Sequence, residues 1–157
     1  MEMFDKLFRK KNQQPVPPVA SPVVPFVQKM DEWLDMLDWY ERECSAYVST
    51  RVYSRLRGIN DLLRKTRPFL TTYNIRAEEE YLIKATLTSY IPDALNLFNQ
   101  LPAEERCDDS VADKQLLTQC DNYEKSMLEL LESMKQRVER DLDVQTAFVE
   151  ERFSQSL

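Results

Sequence analysis

From residue 26 onward, apolar side chains recur every three or four positions, the spacing of one helix face rather than the alternation of a strand. Val27, Met30, Leu34, Leu37, Cys44, Val48, Val52, Leu56, Ile59 and Leu63 form the first stripe. Neither Gly nor Pro falls between 26 and 57, so the pattern predicts one helix over about 26–66. Pro25 suits its first turn. Arg67-Pro68 should end it, because a residue before Pro is biased out of the helical region.

A second helix is predicted over about 75–101, with Asn74 as its N-cap and Glu78, Glu79 and Glu80 at the positive end of the dipole. Twelve of the twenty-one residues from 81 to 101 are apolar, too many for one stripe, so this helix should sit between others. Pro92 cannot donate to the carbonyl of Thr88, which predicts a kink or a break there. Pro102 closes the segment. A third helix starts at Ser110, with Asp113 three residues on in the manner of a capping box. Its stripe is Leu116, Cys120, Tyr123, Met127, Leu130, Met134, Val138, Leu142, Val149 and Phe153, with a heptad rhythm as far as Met134.

These lengths predict an all-α, elongated up-down-up bundle of three main helices, the middle one kinked at Pro92. At 1.5 Å per residue the outer helices reach roughly 60–65 Å and the middle one about 40 Å. Each outer helix then overhangs one end of the bundle. The first overhang carries Trp33, Leu34, Leu37, Trp39 and Tyr40; the second carries Phe148, Val149 and Phe153. Leaving such side chains in water costs roughly 1.5–3 kcal/mol each. Either the first helix folds back on itself or the overhangs meet another chain. The lack of Gly and Pro favours the second outcome, which makes Trp33, Leu37, Trp39, Tyr40, Phe148, Val149 and Phe153 the expected partner-binding residues.

Composition narrows the chemistry. The 157 residues include one Gly and no His, and the net charge is −6. A single Gly excludes phosphate-cradling loops. Without His the usual general base and the commonest zinc ligand are missing. Asp31, Asp35 and Asp38 share a helix face, and Glu78 to Glu80 cluster, but neither group has the apolar surroundings that would tune a catalytic carboxylate. The expectation is a protein that is not an enzyme, with no cofactor and no metal. Cys44, Cys107 and Cys120 are odd in number and lack metal-site spacing, which reads as reduced thiols in the cytoplasm.

Charge is unevenly spread. Arg51, Arg55, Arg57, Arg64, Lys65 and Arg67 fall within one stretch that contains a single acid, Asp61. Such a run can meet an anionic partner, including a nucleic-acid backbone, or it can be neutralised by the acidic third helix. A sequence pI near 4.8 argues against nucleic acid. At the N-terminus, residues 1–11 put Phe4, Leu7 and Phe8 on one helical face with Lys6, Arg9, Lys10 and Lys11 around it, a pattern suited to an anionic membrane surface. The Pro-rich linker 12–25 separates this disordered tail from the helical domain, 26–157.

Two stretches carry a family likeness: Ser89-Tyr90-Ile91-Pro92-Asp93-Ala94-Leu95-Asn96-Leu97 and Phe148-Val149-Glu150-Glu151-Arg152-Phe153. They resemble XpaC-like bacterial proteins, a helical family labelled for bromo-chloroindolyl phosphate hydrolysis and associated with toxic-anion resistance. The resemblance covers the C-terminal half. It implies a helical bacterial protein near membrane or stress systems, and its label implies phosphate-ester hydrolysis. The residues themselves point to a non-catalytic interaction or adaptor protein that self-associates or binds a helical partner, cytoplasmic or peripheral at the membrane. A nucleic-acid-binding protein using 51–67 and a phosphate-ester hydrolase are the alternatives.

Overall fold

A computed structural model describes residues 25–70 and 74–155. Those residues are helical, with no strand among them: α1 (Phe26–Cys44), α2 (Thr50–Leu70), α3 (residues 77–99) and α4 (Val111–Ser154). Ion pairs set the directions. Asp31 meets Arg67 and Glu41 meets Arg57, so α1 and α2 are antiparallel. Arg51 meets Asp113 and Arg55 meets Asp121, so α2 and α4 run the same way. Arg137 of α4 returns to Glu79 at the start of α3, which makes those two antiparallel. The result is an up-down-up-down arrangement of four helices around one core.

The single helix expected over 26–66 is therefore two. The chain doubles back at Ser45–Ser49. Local chemistry supports the break without Gly or Pro: Ser45 Oγ donates to the Arg42 carbonyl at 2.8 Å, and Ser49 Oγ accepts the Val52 N–H at 3.3 Å as a cap for α2. The gain is burial. Met30, Leu34 and Leu37 become fully buried and Trp33 keeps 8% exposure, all within one subunit. Burial of that size outweighs the modest cost of interrupting a helix.

Two other boundaries differ from the pattern. α2 runs through Pro68 to Leu70, whose side chain is buried, so packing carries the helix past the point where the missing N–H should end it. The N-cap of α3 is Arg76 rather than Asn74; the Glu79 carboxylate accepts the Arg76 N–H at 3.0 Å. Within α3, a π-helical turn (Thr86–Tyr90) joins Ala77–Ala85 to Ile91–Asn99, with Pro92 just inside the last segment. The Ile91 N–H donates to the Thr86 carbonyl, five residues back.

The start of α4 is as its sequence predicts. Ser110 Oγ accepts the Asp113 N–H at 3.1 Å. Asp113 is fully buried, and its Oδ2 accepts the Asp109 N–H at 3.0 Å. Asp109 adopts a positive φ of 65°, a conformation that Asp tolerates better than most residues. From there α4 continues for 44 residues, about 66 Å. Its companions are much shorter, so its C-terminal part projects beyond the bundle.

Candidate functional site

The basic run of α2 lies between two acidic helices. Arg67 makes a bidentate pair with Asp31, at 2.5 and 2.6 Å. Arg64 reaches Asp38 at 2.5 Å and Asp35 at 3.6 Å. Arg57 reaches Glu41 at 3.4 Å. On the other side, Arg55 meets Asp121 at 2.9 Å, and Arg51 pairs with Asp109 and, at 3.8 Å, with Asp113. Neutralisation thus comes from α1 as well as α4. Lys65 alone of the six has no ion pair among the described residues.

The same contacts account for the carboxylates on α1. Hydrogen bonds from Arg67 hold the Asp31 carboxyl below its ordinary range. Burial pushes Glu41 up, against the Asn60 hydrogen bond at 3.1 Å and the charge of Arg57. Asn60 also donates to Asp38 at 2.5 Å, so Asp38, Glu41, Asn60, Arg57 and Arg64 form one polar seam between α1 and α2. At the start of α3, Glu79 takes Arg137 and Glu80 takes Lys29 at 3.0 Å. Among the described residues, no group of three or more His, Cys, Asp or Glu side chains is arranged to hold a metal ion. Burial raises the thiols of Cys44 and Cys120 to about 12, while Cys107 is exposed.

The expected partner-binding residues separate into two groups. Trp33 and Leu37 are sealed in the core, which corrects their assignment to an exposed overhang. Tyr40 is half-buried, and Trp39 is exposed on the outside of α1 with its ring edge-on to Tyr40 at 5.0 Å. Phe148, Val149 and Phe153 remain exposed on α4. The fold does not bring Trp39 to them. Trp39 lies toward the loop end of α1, whereas α4 projects from the opposite end, beyond Phe26 and Leu70.

Arg137 marks where that projection begins. Its guanidinium holds Glu79 at 2.7 and 3.0 Å and donates to the Asn74 carbonyl at 2.6 Å. Every residue from Val138 to Gln155 is exposed. Six large apolar side chains lie on this stretch: Val138, Leu142, Val144, Phe148, Val149 and Phe153, the last 71% exposed. At 100° per residue, Val138, Leu142, Val149 and Phe153 fall within an arc of about 60°, on the face that buries Cys120, Met127 and Leu131 further back. At the root of the projection, Leu62, Phe69, Leu128 and Leu131 line an apolar groove between α2 and α4. Sequence reasoning missed this groove, because it depends on α2 and α4 lying side by side.

No described helix is long and apolar enough to cross a membrane. The basic segment Phe4, Lys6, Leu7, Phe8, Arg9, Lys10 and Lys11 lies outside the described residues. Comparison with protein-family models, with curated proteins and with solved structures finds no match to this chain.

Proposed function

We propose that the protein is a non-catalytic helical interaction module whose working surface is the part of α4 beyond Arg137. One observation carries this reading: a core-facing apolar stripe continues for about four turns after the bundle that would cover it has ended. A solitary amphipathic helix gains most of its stability from packing, so such a stripe fits a helical partner laid along it. The arginines of α2 support a protein partner over a nucleic acid, since carboxylates of the same chain already engage them. The acidic groups that phosphate-ester hydrolysis would draw on are likewise engaged in ion pairs along α1 and at the start of α3. The basic N-terminal segment adds a membrane-surface attachment as a secondary element of the proposal.

A photo-crosslinking side chain at position 142, placed in the protein as its cell makes it, tests the reading. Discrete adducts are expected there and not from Lys114, at the far end of α4. Equal or absent adducts at both positions would remove the α4 projection as a docking surface.

A further inference from the structure

We infer that the partner laid along the α4 projection is a second copy of this chain, running antiparallel. This rests on the docking reading above and names the occupant. The stripe Val138, Leu142, Val149, Phe153 has steps of four, seven and four, which read the same in both directions. A twofold axis between Gln145 and Thr146 therefore sets Val138 level with Phe153 of the second copy, and Leu142 level with its Val149. Both ends of the stripe are matched, while Val144 and Phe148 lie off it.

Length points the same way. The projection is about 25 Å, and an identical one covers it from root to tip. The last helical residue of each copy, Ser154, then lies level with Arg137 of the other, at the root of its projection. A stable dimer needs about 800 Å² from each copy. Two such helices in contact along their length supply part of that area, so the expected dimer is a concentration-dependent one. The contact is isologous, so it closes at two copies and leads to no filament.

Charge gives the pairing a signature. In this register Arg140 lies level with Glu151 of the second copy and Glu139 with its Arg152, but Asp141 lies level with Glu150. Over 138–154 the acids Glu139, Asp141, Asp143, Glu150 and Glu151 outnumber Arg140 and Arg152. The two projections repel at long range, so screening by salt strengthens this dimer, whereas it would weaken binding to a basic partner.

Sedimentation velocity on the purified full chain, across a concentration series at low salt and at about 0.5 M salt, is the test. The expected result is a monomer–dimer equilibrium that tightens with salt. Leu142→Glu should weaken it about tenfold or more, with unchanged helical content by circular dichroism. Direction is read with a short bismaleimide in a Cys107→Ser background: Thr146→Cys should link to itself and Glu139→Cys should not, whereas a parallel pair would link both. A monomer at every concentration, a dimer that salt weakens, or self-linking through Glu139→Cys would overturn the inference. A purified monomer together with foreign adducts from position 142 would remove the second copy and leave the docking reading in place.

Discussion

Arg137 and Glu79 face each other through two hydrogen bonds, at 2.7 and 3.0 Å, with both side chains largely shielded from water. Beyond Arg137 every described residue of α4 is exposed. Burial works against the charge on Glu79, but the Arg137 hydrogen bonds and the Arg76 N–H hold its carboxyl below the usual range. Its folded value therefore lies below its unfolded one, and the stabilisation is present at neutral pH and lost as pH falls through the folded value. Glu79→Gln should cost between about 1 and 3 kcal/mol at pH 7, between the exposed and buried limits for ion pairs. The difference should shrink in urea melts of the two proteins as the pH falls below the ordinary carboxylate range.

Glu41 has the opposite sign. Burial raises its carboxyl, so the native state holds its proton to higher pH than the unfolded chain does. Stability is lost as pH rises through that window. Glu41→Gln keeps an acceptor for Asn60 and removes the titration. Urea midpoints at pH 4, 5.5 and 7 should show the variant gaining on the parent as pH rises.

The doubled-back first segment makes the two tryptophans unequal. Trp33 packs in the core with Phe26 edge-on at 5.9 Å, whereas Trp39 is 51% exposed. Trp33→Ala should cost about 3–5 kcal/mol, the range for a large core aromatic. Trp39→Ala should stay within about 0.5 kcal/mol. Iodide should quench Trp39 emission and spare Trp33; equal quenching would mean that α1 is not folded back.

Thiol chemistry gives an independent check on the core. Cys44 and Cys120 are buried with pKa values raised to about 12, so at neutral pH they offer almost no thiolate. A thiol reagent should label only Cys107 in the native protein, and all three cysteines in denaturant.

Much of this architecture is legible in the sequence, and the exceptions have physical causes. Ser110 and Asp113 announce α4 because capping is a local interaction. The break at Ser45–Ser49 is hidden because the apolar stripe passes through it, from Cys44 to Val48 to Val52, in helical step. Only the two serines mark it, and their side chains do supply the caps. The partners of the arginines were half visible: the acidic α4 could be read from composition, but Asp31, Asp38 and Glu41 meet α2 only once α1 has turned back. Pro68 fails to end α2 because Leu70 is held in the core. The exposed stripe from Val138 to Phe153 was readable in advance, since it depends only on α4 being longer than its companions.

Amide hydrogen exchange over residues 138–153 of the intact protein, compared with the Leu142→Glu variant, tests the central claim most directly. With the stripe covered by another helix, these amides exchange slowly in the parent, faster on dilution, and fast in the variant, while 111–137 stays unchanged. Exchange over 138–153 as rapid as in a lone solvated helix, at every concentration and in both proteins, would contradict the account.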